Sequence, residues 1–236
     1  MRGPRRICND SKDRLTGVRV NARMIRLYWH PFSIVPRRVR IVLREKRIPH
    51  EEVEVDVLAG VHRGPEFRRL NPFGQIPVLE DVGLVICESV AILEYLEERF
   101  PSPRLLPADA GPRAITRQFM LWSGDYMNGP WEAWMRPAFA PDAPVDVAGR
   151  EKAHADIAAH LDVLERRLAT RDWLVDRYSL ADVCYAPLVT VFDRVGLGDL
   201  ISARPRVAAW VGRLLERPAV RETAPPPVPV SLPKRS

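Results

Sequence analysis

Cysteine is scarce in this sequence: Cys8, Cys87 and Cys184 are the only three in 236 residues, and no two form a C-x-x-C pair. Spacing that wide supports neither a disulfide framework nor a zinc site, and a reduced compartment is the natural setting. The five histidines (His30, His50, His62, His154, His160) show no H-E-x-x-H spacing, so no resident metal is expected. Long apolar runs are missing too. No stretch approaches the roughly 20 residues that a bilayer-spanning helix needs. The first 23 residues hold arginines but no apolar segment of the kind a secretory signal requires. Neither a membrane partner nor export is expected, and the expected location is the cytoplasm.

Positive charge is in excess, but its placement matters more than its amount. The net charge is +6, and residues 1–23 carry seven basic and two acidic side chains, while Lys234 and Arg235 stand at the other end. Taking +5 and +2 from +6 leaves −1 for residues 24–233. A body so near neutrality has no electrostatic footprint for phosphates, so no nucleic-acid partner is expected. The first strand-like pattern opens at Met24. Met24 is therefore expected to be the biological start, with residues 1–23 an upstream misreading or a disordered arm. A transit peptide fits less well, because the segment has one serine and two aspartates.

Residues 24–101 alternate between two periods. Ile25, Leu27 and Trp29 alternate as in a strand, and Val35, Val39 and Val42 then recur at helical spacing with Pro36 in the first turn. Val53, Val55 and Val57 give a second strand. Ile76–Glu80 and Leu84–Cys87 flank Asp81-Val82-Gly83 as a hairpin, and a helix through Ile92, Tyr95, Leu96 and Arg99 stops before Pro101. Residues 102–111 read as a linker, and residues 112–223 as helices only. In that half a helix from Ala114 to Asn128 is expected to break at Gly129-Pro130. Ile157, Leu161, Leu164 and Leu168 form one apolar stripe, and Ser179 with Asp182 forms a capping box. The proline-rich residues 224–236 are expected to be disordered. The fold class is an α/β domain, β-α-β then β-β-α, followed by an all-α domain.

The segment N-P-F-G-Q-I-P-V-L-E-D-V-G-L-V-I-C-E-S (residues 71–89) concentrates the chemistry. Pro77 is either an edge-strand proline or the second residue of a cis Ile76–Pro77 peptide, which turns the Ile76 backbone outward to pair with an extended peptide. Ser89 stands at a helix start, where free N–H groups and the dipole receive a carboxylate, and Glu88 can pair with an amine. A plain cap with a first-turn acid is the alternative.

The N-P-F-G-Q-I-P-V-L-E-D and E-S-V-A-I-L-E-Y-L segments resemble the thioredoxin-fold domain of glutathione transferases, and Y-S-L-A-D-V resembles the capping motif of their helical domain. The likeness spans nearly all of residues 24–222. It implies a thioredoxin-like first domain with glutathione as co-substrate. Gln75 would meet the glycyl end, Ile76 and Pro77 the cysteinyl backbone, and Glu88 and Ser89 the γ-glutamyl end. Ser33, in Y-W-H-P-F-S-I-V-P-R, matches the activating serine of the theta, zeta, phi and tau-like classes. Tyr28 does not match the tyrosine of the tyrosine-type classes, and no cysteine stands in that stretch. A small hydrophobic electrophile is implied over Phe32, Trp122, Tyr126 and Trp131, and a homodimer is implied as the assembly. Arg37, Arg38 and Arg40 are expected mostly on a solvated helix face. The resemblance leaves open a detoxifying transferase, a β-aryl etherase, a dehalogenase, and a non-catalytic regulatory module of the same fold.

Overall fold

The computed structural model describes residues 24–140 and 143–227, together with the backbone of residues 10–12 and 19–21. In the latter, β1 (Asp10–Lys12) and β2 (Arg19–Asn21) pair antiparallel. The expectations for the rest of residues 1–23 and for residues 228–236 lie outside the described residues.

The first domain is built on β3 (Ile25–Trp29), α1 (Ile34–Glu45), β4 (His50–Glu54), the short α2 (Pro65–Arg68), β5 (Val78–Asp81), β6 (Leu84–Cys87) and α3 (Ser89–Arg99). The sheet order is β4-β3-β5-β6, with β3 and β4 parallel and the other pairs antiparallel. Register sorts the side chains onto two faces. Leu27, Leu79 and Ile86 align across three strands toward α1 and α3, where Val39, Val42, Ile92 and Leu96 complete the core. Tyr28, Val53, Val78 and Cys87 align on the other face, which Phe67 of α2 covers.

Two local differences from expectation have simple causes. The second strand starts earlier than the valine alternation suggests, because Ile25 pairs with His50 and the five-residue β3 ends opposite Glu54. Val55 keeps only a single bond beyond the ladder, its N–H to Trp29 O at 2.8 Å. The β5–β6 connection is two residues, Val82 and Gly83, both at positive φ (47° and 86°), as a tight hairpin with right-handed strand twist demands.

The second domain holds α4 (Ala110–Asp125), α5 (Asn128–Phe139), α6 (Val147–Arg167), α7 (Leu180–Val189), α8 (Gly198–Ser202), α9 (Pro205–Glu216) and α10 (Pro218–Glu222). The helix break falls at Tyr126-Met127, before the Gly129-Pro130 pair. Pro130 instead sits in the first turn of α5, where a missing N–H breaks no intrahelical bond. α4 begins inside the expected linker. α7 is buried along its whole length, and the Ser179–Asp182 capping box opens it. Among the described residues no helix is long and apolar enough to cross a membrane.

Arg37, Arg38 and Arg40 of α1 are not on a solvated face. Arg37 donates to Pro187 O, Thr190 Oγ1 and Val220 O, within 3.1 Å, which ties α1 to the C-terminal turn of α7 and to α10. Burial, then Arg40 and Arg194, pushes its pKa down to about 10. Arg38, only 2% exposed, donates to Ser123 O of α4 and Asn128 Oδ1 of α5. Arg40 pairs with Glu52 at 2.9 Å and lies 3.8 Å from the Trp29 ring centre. Hydrophobic periodicity assigns arginine to water. Here the carbonyls at helix ends supply the partners that make burial tolerable.

Candidate active site

Every element that reaches the domain boundary at the N-terminal end of α1 contributes to one cleft of about 350 Å³. α1 gives Ser33 and Val35, and the segment after β4 gives Val57 and His62. The loop into β5 gives Asn71, Gln75, Ile76 and Pro77. The start of α3 gives Glu88 and Ser89, and α5 gives Asn128 and Glu132. All six residues singled out in the sequence for the peptide site (Ser33, Gln75, Ile76, Pro77, Glu88, Ser89) therefore share one wall.

The local backbone explains their aim. Ser33 is the N-cap residue of α1 (φ −89°, ψ 120°), and its N–H donates to His30 O at 3.0 Å, but its side chain makes no capping bond. The hydroxyl is left to the cleft. The Ile76–Pro77 peptide is cis. Asn71, 1% exposed, holds the loop beneath it by donating Nδ2 to Gln75 O (2.7 Å) and accepting at Oδ1 from Phe73 N (3.0 Å). Gly74 has φ +62°, and a Cβ there would fall 2.8 Å from His62 O, so only glycine lets the two loops meet. Glu88 adopts φ 68°, ψ 117°, a backbone state rare for a residue with a side chain, at the step into α3. Such outliers gather at ligand sites. Ser89 follows, 5% exposed, and the N–H groups of the first helical turn have no partner within the helix.

Among the described residues, no lysine or arginine lines the cleft. Its carboxylates are Glu88 and Glu132. Burial, followed by Arg63 and His30, lowers the His62 pKa, which keeps the ring neutral near pH 7, and its Nδ1 is buried without a partner. Cys87 adjoins the site, but burial and Glu88 raise its thiol pKa, so it is a poor nucleophile. Tyr28 donates its hydroxyl to Glu80 at 2.8 Å, and burial pushes its pKa far up, so it does not serve the cleft.

The four aromatic residues expected around a second substrate are not cleft-lining. Phe32 is nearest, one residue from Ser33, with its ring centre 6.2 Å from that of Phe139 at the end of α5. Trp122 of α4 and Tyr126, just past its end, meet edge to face, and Tyr126 stacks on His160. Trp131, 7% exposed, stacks on Phe192 in the core. On α5 the outer stripe carries Asn128 and Glu132, and the inner stripe carries Trp131, Trp134 and Met135. The sequence reading took the inner stripe. It also gave no role to His62, Asn71, Asn128 or Glu132, although Asn71 and Gly74 stand within the N-P-F-G-Q signature.

A larger open groove of about 900 Å³ lies at the far end of α1, between Arg44, His50 and Pro218. Two of its three acids are engaged: Glu45 takes a bidentate pair from Arg217, and Glu52 binds Arg40, while Glu222 stands exposed. The smaller cleft is the one that gathers Ser33, the cis Ile76–Pro77 peptide and the start of α3.

Residues 32–99 match the family model for the glutathione S-transferase N-terminal domain, and residues 147–213 match the one for the C-terminal domain. The chain belongs to the glutathione S-transferase family. It is accordingly a transferase, with the thioredoxin-like domain first and the helical domain second. Glutathione S-transferase 3 of Zea mays is 36% identical over 218 residues, covering 86% of this chain and 96% of its own length. FtsZ-localized protein A of Caulobacter vibrioides is 35% identical, with 83% of this chain and 88% of that protein covered. The structure of Ure2p in complex with S-hexylglutathione superposes with a TM-score of 0.78 at 26% identity, covering 86% of this glutathione S-transferase chain and 99% of that one.

Proposed function

We propose that this transferase binds glutathione in the cleft at the start of α1 and that the Ser33 hydroxyl stabilises the thiolate for attack on a small electrophile. The observation that carries the reading is the N-cap serine whose hydroxyl caps nothing and faces the same cleft as Ile76, Glu88 and Ser89. An ordinary thiol titrates near about 8.5, so little of it is anionic at neutral pH. A hydroxyl donor and a helix N-terminus both favour the anion. The tripeptide pairs with the Ile76 backbone through its cysteinyl residue. Its γ-glutamyl carboxylate meets Ser89 and the α3 N-terminus, and its amine meets Glu88. Gln75 and the neutral His62, with its unpartnered Nδ1, take the glycyl end. The sulfur then forms a bond to carbon as the leaving group departs with its electron pair.

The protein acts in the cytoplasm as a homodimer, with no metal. Phe73, 79% exposed on the loop beside the site, offers an anchor for the second copy, and Val82, Leu84 and Val85 add an exposed apolar margin. A non-catalytic binding role is the second reading, and the similarity to FtsZ-localized protein A is what favours it. Calorimetric titration with glutathione, followed by a screen of aryl halides, epoxides and aryl ethers, separates the two. Binding with conjugation is the expected result. Binding without any turnover supports the second reading, and absence of binding removes both.

A further inference from the structure

The wall of the cleft that faces Ser33 is polar, although an apolar electrophile is the simple expectation. That wall is the outer stripe of α5. Asn128 and Glu132 stand four residues apart, hence on one face of the helix, and Phe139 continues the same stripe two turns later. Asn128 is fixed from behind: Oδ1 accepts from the buried Arg38, whose other bond goes to Ser123 O. Glu132 is exposed and has no hydrogen-bond or ion-pair partner among the described residues. Glutathione accounts for Glu88 through its single amine. Glu132 is left over, in a cleft that no lysine or arginine lines among the described residues, beside a site where a thiolate must form. A second negative charge there opposes the anion unless the other substrate brings a compensating group.

We propose that Glu132 selects electrophiles carrying a cationic or strongly hydrogen-donating substituent, with their ring against Phe32 and Phe139. This rests on the transferase reading above and refines its second substrate from simply apolar to aromatic and cationic. The rings of Phe32 and Phe139 lie 6.2 Å apart and tilted by 56°, outside the cleft lining, the first next in chain to Ser33 and the second on the stripe of Glu132, which lies between Phe139 and Asn128 along the helix. The charge preference is modest, because Glu132 is reached by solvent.

The test uses three benzyl chlorides with the same reacting carbon and a para aminomethyl, methyl or carboxylate group. For the wild-type dimer, kcat/KM is expected to favour the aminomethyl over the carboxylate compound by about fivefold or more at low salt, and less at high salt. Glu132→Gln is expected to bring that ratio down to its value for the uncatalysed reaction with glutathione, with the KM for glutathione unmoved. Comparing the two enzymes cancels intrinsic reactivity. An unchanged ratio in Glu132→Gln, with the methyl compound still conjugated, overturns the proposal and leaves the transferase reading standing. If none of the three is conjugated by an enzyme that binds glutathione, the transferase reading fails and this proposal falls with it.

Discussion

Asp182 Oδ1 accepts a hydrogen bond from Trp210 Nε1 at 3.0 Å, joining the start of α7 to the middle of α9 in the centre of the helical domain. The same carboxylate takes Leu174 N at 3.0 Å, and its second oxygen takes Ser179 N at 3.0 Å and Ser179 Oγ at 3.2 Å. Removing it leaves several buried donors without a partner. Asp182→Ala is therefore expected to cost roughly 3–5 kcal/mol of stability. The KM for glutathione should stay near its original value in whatever enzyme remains folded. A large rise in KM at unchanged stability would show that the residue serves the site directly.

Burial pushes the Asp182 pKa up to about 6, against the four hydrogen bonds that favour the anion. A carboxyl whose folded pKa lies above its unfolded value binds more protons when folded. Its contribution is thus fully present below about 4 and is lost as pH rises through about 6. Denaturant unfolding between pH 4 and pH 7 is expected to show this decline in the wild type. Asp182→Asn should flatten the profile over that window; an unaltered slope would place the titration elsewhere.

Arg38 is buried, and among the described residues it has no ion-pair partner and its Nε no hydrogen bond. Burial alone depresses its pKa. Replacing a costly buried cation with an apolar chain of similar length removes a desolvation penalty along with the bonds to Ser123 and Asn128. Arg38→Met is expected to lie within about 2 kcal/mol of wild type, and Arg38→Ala to lose roughly 3 kcal/mol or more through the cavity it leaves. Equal losses in urea unfolding would mean that the hydrogen bonds decide the matter.

If Phe73 anchors a second copy, light scattering should give twice the 26.8 kDa chain mass at micromolar concentration. Phe73→Glu should shift that value toward the single chain. A single-chain mass for the wild type removes the dimer.

The division into an α/β half and a helical half was legible because periods of two and of 3.6 separate cleanly here, with Leu27 and Val39 in one regime and Ile157 and Leu161 in the other. One wall of the cleft was legible because Gln75, Ile76, Pro77, Glu88 and Ser89 lie within a single short segment, where a hairpin brings its two ends together. Asn128 and Glu132 are different. They reach the cleft of Ser33 only through the tertiary fold, with Asn128 tied to Arg38 of α1, and a helix with tryptophans on one stripe draws attention to the face that turns inward. Arg37 and Arg38 were misjudged for a related reason: their partners are carbonyls on α4, α7 and α10, 85 to 183 residues away. Sequence periodicity holds no trace of them.

The central claim concerns the Ser33 hydroxyl, and the ultraviolet titration of enzyme-bound glutathione tests it most directly. In the wild type the bound thiol should ionise well below its ordinary range near about 8.5. In Ser33→Ala its pKa should rise and turnover should fall by one to three orders of magnitude, about 1.4–4 kcal/mol of barrier. Glutathione affinity should hold, because the proposed binding mode gives the tripeptide to Ile76, Glu88 and Ser89, and stability should hold, because the hydroxyl makes no capping bond. A bound thiol that titrates identically in both proteins, with activity retained in Ser33→Ala, would contradict the account.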